Sequence, residues 1–90
     1  MSKLSELNES VLDLIRTERM KQDKKWGEQN HSDFYWLGIL VEEVGELAKA
    51  IIEDTFCFND PSSDQRDKEI IQVAAVAVAW LESIRRRGGG

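Results

Sequence analysis

The chain has 90 residues, 41% of them hydrophobic and 32% charged, with a formal net charge of −5 and a pI of about 4.8. A chain of this length is one small domain, and its acidity disfavours a broad nucleic-acid-binding surface, because it gains little from counterion release at a phosphate backbone. The single cysteine excludes an intramolecular disulfide, and the longest apolar run, residues 73–81, is far too short to span a bilayer.

No charged-then-apolar leader opens the sequence, so a soluble, cytoplasmic protein is expected, with no membrane partner and no nucleic-acid polymer as ligand. A small phosphorylated ligand remains compatible with the acidity, because a bound metal supplies local positive charge. A domain this small buries only roughly 60% of its unfolded surface, which makes it marginal alone.

The first predicted element is a helix over residues 4–21. Leu4, Leu7, Val11 and Leu14 or Ile15 recur at three- and four-residue steps, with Ser2 or Ser5 as a cap. It reads as an amphipathic packing helix. Its end is rich in polar residues: Glu18, Arg19, Gln22, Lys24, Lys25 and Trp26 precede Gly27. Trp26 either stacks on a nucleobase, with Arg19 or Lys25 meeting phosphate, or caps the bundle core above a solvated basic face. His31 has no partner histidine, so it reads as a loop residue rather than a zinc or di-iron ligand.

The second helix is expected over residues 33–53, capped by Ser32. Leu37, Leu40, Val41, Val44, Leu47, Ala48 and Ile51 form one broad apolar stripe bordered by Glu43, with Glu42 and Glu46 farther round. Gly38 and Gly45 share a face and suggest close approach of a helix or ligand. Residues 55–67 read as a connection in which Phe56, Cys57 and Phe58 tuck against the bundle end. Cys57 lacks any nucleophile signature and reads as a packed thiol.

The third helix, over residues 63–86, has Gln72 as the one polar residue between Ile70 and Leu81. A helix apolar on every side must be covered on every side, and two more helices from one small chain cannot do this. The expected fold is therefore an all-α bundle of three to four helices completed by homo-oligomerisation. One domain spans residues 1–87 and a flexible end spans 88–90. Glu43 and Glu46 are three apart, as are Glu69 and Gln72, so each pair projects from neighbouring turns. The two pairs read either as solvated faces or as a shared oxygen-rich pocket. Burial of the third helix favours the pocket, because crowded carboxylates repel unless a cation neutralises them. Mg²⁺ is the hard cation such oxygens suit.

These motifs resemble those of the MazG-like all-α nucleoside triphosphate pyrophosphohydrolases, relatives of the dimeric dUTPases. Glu42-Glu43-Val44-Gly45-Glu46 is similar to that family's E-E-x-x-E helix, and Glu69-Ile70-Ile71-Gln72 stands where the family shows E-x-x-D. Residues 22–29, with Lys25-Trp26-Gly27, resemble the N-terminal segment of small phage- and integron-type members. The resemblance implies a homodimer, often a dimer of dimers, and Mg²⁺-dependent hydrolysis of (deoxy)nucleoside triphosphates to monophosphate and pyrophosphate in nucleotide-pool house-cleaning. It implies Glu43, Glu46 and Glu69 as metal ligands, with Glu42 a further candidate. Gln72 in place of the aspartate would coordinate more weakly or hold a metal-bound water.

The expected division of labour follows. Glu42 or Glu46 orients the attacking water, while Arg19, Lys25 or Arg85 neutralises phosphate charge and Trp26 or Trp36 contacts the base. The alternative is a catalytically silent helical dimerisation or regulatory module, in which the glutamates pair with Lys and Arg across an interface.

Overall fold

The computed structural model describes residues 2–56 and 63–88, with side chains for residues 2–53 and 65–88. It contains three helices of equal length, α1 (Lys3–Trp26), α2 (Asp33–Phe56) and α3 (Ser63–Arg86). The all-α expectation holds, and no described helix is long and apolar enough to cross a membrane. Cys57, Phe58 and the rest of residues 57–62 lie outside the described residues, as do the last two glycines.

Local chemistry accounts for the helix ends. Ser2 caps α1, its hydroxyl accepting from the Ser5 amide at 3.1 Å. Ser32 caps α2 in the same way, accepting from the Tyr35 amide at 3.2 Å. α1 runs five residues past the expected end at Lys21. Lys24 and Lys25 in its last turn suit the negative end of the helix dipole. The stop comes at Gly27, whose φ of 72° ends the helix while its amide bonds back to the Asp23 carbonyl at 2.8 Å.

A Cβ at Gly27 would meet nothing within 4 Å, so its substitution costs backbone strain alone. Gly27→Ala is expected to destabilise by about 1–2 kcal/mol. In a domain of this size each kcal/mol lowers the melting temperature by about 4–8 °C, which a thermal melt would read.

α3 is the central element. It packs against both α1 and α2, whereas α1 and α2 make no direct backbone contact with each other. The buried core is small: Trp36, Val76 and Ala79 form its centre, flanked by half-buried Ile39, Leu40 and Trp80. The line of α2 facing α3 is Trp36, Ile39, Leu40, Glu43, Leu47 and Ala50, all buried or half-buried. This corrects the expected phase. Of the predicted stripe only Leu40 and Leu47 turn inward, while Leu37, Val41, Val44, Ala48 and Ile51 are exposed. Glu43 thus sits within the packed line, not at its border.

α1 differs in a similar way. Leu4, Leu7, Val11 and Leu14 are exposed, and the helix meets α3 through its C-terminal half, by way of Ile15, Glu18, Arg19 and Gln22. Gly38 and Gly45 face open space, with nothing within 4 Å of an added Cβ, so no described residue approaches closely there. The result is flat and open. Its extents are 47 × 38 × 22 Å and its radius of gyration is 15.2 Å, against about 12 Å for a compact domain of this length.

Candidate functional site

The C-terminal end of α3 anchors the loop between α1 and α2. Arg86 donates to the Asn30 side chain at 3.0 Å and to the Gln29 carbonyl at 2.9 Å. Asp33 accepts from Trp80 Nε1 at 3.0 Å and from Arg87 at 2.9 Å. These bonds, the Trp80 one first, hold the Asp33 carboxyl below the usual carboxylate range. His31 stays in the loop as expected, tilted against Tyr35 and edge-on to Trp36, with ring centroids 4.4 and 5.0 Å away.

With the loop fixed, a cleft of about 230 Å³ opens between the three helices. Its polar lining comprises Gln22, Gln29, Glu42, Glu43 and Gln72, and its apolar walls include Trp26, Ile39 and Val76, with Trp36 against the core. On the far side of Gln72 a second groove, about 340 Å³, runs between α1 and α3 past Glu18, Lys21, Lys68 and Glu69. Glu46 and Glu69 share the lining of a third, shallower groove.

Glu43 is the electrostatic centre of this region. Its carboxyl is half-buried and binds its proton more tightly than an ordinary glutamate. Burial is the largest cause, followed by the negative charges of Glu69, Glu42, Glu46 and Glu18. The four come from all three helices. None of Glu18, Glu42, Glu43 and Glu46 forms an ion pair with a described lysine or arginine. Glu69 accepts from the Gln65 amide at 3.0 Å.

The donors gathered here are all carboxylate oxygens, which suits Mg²⁺. That ion commonly takes one or two carboxylates and fills the rest of its octahedron with water and substrate phosphate. Among the described residues no three His, Cys, Asp or Glu side chains already stand at mutual metal-ligating spacing.

The expected substrate-binding residues separate into two groups. Trp26 is exposed and lines the cleft, with the Lys25 ammonium 4.7 Å from its ring centroid. Trp36 is only 2% exposed and belongs to the core, so its ring face is not open for stacking. Arg19 is taken up within the protein. It donates to Glu82 through Nε at 3.0 Å, to Asp23 at 2.8 Å and to Gln22 at 2.9 Å. Arg85 is exposed in the last turn of α3, away from the cleft lining.

Arg19 is therefore a tie between α1 and α3. Its two carboxylate partners are both well exposed, which limits the value of each ion pair. Arg19→Met is expected to lower stability by about 1 kcal/mol, read as a drop of about 4–8 °C in a melting experiment.

Sequence reasoning missed Glu18, Gln22 and Gln29 as parts of the site. Glu18 and Gln22 are one turn apart on the α1 face that meets α3, and only the packing distinguishes them from neighbouring polar residues. No family model, curated protein or solved structure matches this chain.

Proposed function

We propose that the chain is a Mg²⁺-dependent nucleoside triphosphate pyrophosphohydrolase of the MazG-like kind, acting in nucleotide-pool house-cleaning as a homodimer or a dimer of dimers. The observation that carries this reading is the half-buried Glu43 without a basic partner, in the field of four other carboxylates. Paired with the E-E-x-x-E pattern of residues 42–46, it describes a place where a divalent cation would relieve repulsion.

Held by Glu43, Glu46 and Glu69, Mg²⁺ would supply positive charge against the triphosphate oxygens. The protein's own part is positioning. Glu42, on the cleft wall, or Glu46 accepts a hydrogen bond from the attacking water and aims it at phosphorus. Water would add to phosphorus at the α–β bridge and give up its proton to that carboxylate and then to solvent, while the bridging P–O bond breaks with its electron pair on the departing oxygen, releasing monophosphate and pyrophosphate. Trp26 offers an exposed indole against the base. Lys25, whose ammonium stands over the Trp26 ring, would meet phosphate charge, since Arg19 is engaged with Glu82 and Asp23.

Dimerisation completes the fold in this reading. Leu37, Val41, Val44, Ala48 and Ile51 recur at steps of four and three along the exposed side of α2, a heptad-like seam for a second helix. Gly38 and Gly45, open to solvent in the protomer, would let that helix come close.

The test is pyrophosphate release from the eight common nucleotides with Mg²⁺, repeated with Glu46→Gln. Turnover of at least one nucleotide is expected, reduced at least ~100-fold in the variant. A variant with full turnover would remove Glu46 from the site. The second reading, a catalytically silent dimerisation module, draws on the lack of a preformed three-carboxylate ligand set among the described residues. It predicts no pyrophosphate from any nucleotide.

A further inference from the structure

The carboxamides of Gln22 and Gln72 form a relay whose polarity is set from one end. Arg19 carries donors only, and Glu82 and Asp23 hold its guanidinium in place. Arg19 Nη1 donates to Gln22 Oε1 at 2.9 Å, so the amino group of Gln22 must point the other way. There Gln22 Nε2 donates to Gln72 Oε1 at 3.3 Å. Gln22 is only 8% exposed, and turning its amide over would set donor against donor at Arg19. The oxygen of Gln72 is thus engaged. Its Nε2 bonds to no described residue, which leaves it for an occupant of the space that Gln72 lines, the cleft or the groove on its far side.

The character of that occupant follows from the walls. Glu42 and Glu43 line the same cleft; with Mg²⁺ held by the carboxylates, the triphosphate oxygens would go to the metal, which leaves the Gln72 amino group for a neutral carbonyl oxygen. Trp26, Ile39 and Val76 suit a flat, uncharged ring. We propose that Gln72 is a specificity-determining donor that hydrogen-bonds a ring carbonyl of the nucleobase, so that the carbonyl-bearing bases (thymine, uracil, cytosine and guanine) are accepted ahead of adenine, which has none. This rests on the nucleotide-hydrolase reading and takes Gln72 out of the metal ligand set. An aspartate there, as in the E-x-x-D pattern, could only accept; the glutamine inverts the hydrogen-bonding sense of the position.

The test is calorimetric binding of non-hydrolysable α,β-imido analogues of the thymidine and deoxyadenosine triphosphates, with Mg²⁺, to the full chain and two variants. The native protein should bind the thymidine analogue about tenfold more tightly, the worth of one hydrogen bond. Gln72→Glu replaces the donor by an acceptor and should abolish or reverse that ratio. Gln22→Glu leaves Gln72 intact but accepts from both Arg19 and Gln72, turning the Gln72 oxygen toward the cleft, and should collapse the ratio as well.

Neither variant should lose the rise in melting temperature with Mg²⁺ alone. If the native protein shows no preference, or both variants keep its ratio, the assignment of Gln72 fails while the hydrolase reading stands. If no nucleotide analogue binds at all, both fail together.

Discussion

Glu43→Gln is expected to raise the melting temperature in Mg²⁺-free buffer near neutral pH and to lower pyrophosphate release by about 100-fold or more. The two effects have one origin. In the folded protein the Glu43 carboxyl holds its proton more tightly than the ordinary value of 4.5, first through burial and then through Glu69, Glu42, Glu46 and Glu18. A carboxyl with a raised folded-state pKa destabilises the fold once ionised. Stability falls as pH climbs from the unfolded value through the raised one, and it stays lower above.

Glutamine keeps the shape and removes the charge, so the variant melts higher at neutral pH and gains nothing well below pH 4.5. In the proposed reading it would also remove a metal ligand worth several kcal/mol of transition-state stabilisation, hence the expected loss of turnover. Melting curves at two pH values with and without Mg²⁺, alongside a pyrophosphate assay, check every part. A variant that melts lower than the native protein at neutral pH without Mg²⁺ would mean that the glutamates are not crowded.

The second large effect is expected from Val44→Lys. Val44 lies in the middle of the exposed seam formed with Leu37, Val41, Ala48 and Ile51. An ammonium at the centre of a buried helix pair costs several kcal/mol unless it finds a partner. The dimer dissociation constant should therefore rise by about 100-fold or more. Sedimentation should then give a species near the 10.3 kDa chain mass in place of one twice as heavy. The native melting temperature should rise with protein concentration, and the variant's should not. A native protein that sediments as a monomer at high concentration would overturn the proposed assembly.

Much of the helical framework was legible in the residues. Ser2 and Ser32 mark two helix starts through chemistry that needs no tertiary context, whereas α1 ends at Gly27, five residues past the expected Lys21. The phase of α2 was not. Leu37, Val41 and Val44 are as apolar as Ile39, Leu40 and Leu47, and hydropathy cannot say which line packs inside one protomer and which is left outside. Trp36 decides the matter by filling the space against Val76 and Ala79, which rotates Glu43 into the packed line.

The candidate site was legible in part for the same reason. The spacing of Glu42, Glu43, Glu46 and Glu69 points to neighbouring turns of helices, but the role of Arg19 depends on Glu82, which lies 63 residues away. The burial of Gln22 depends on how α1 lies across α3, and no local pattern announces it.

The central claim is that carboxylates from three helices are crowded around Glu43 and that a divalent cation relieves the crowding. Its most direct test is the melting temperature of the native protein across a Mg²⁺ titration at constant ionic strength. The midpoint should climb steadily once Mg²⁺ exceeds its dissociation constant, with stability gained by about 2.7 kcal/mol at a hundredfold excess. A midpoint that stays flat throughout the titration would contradict the account.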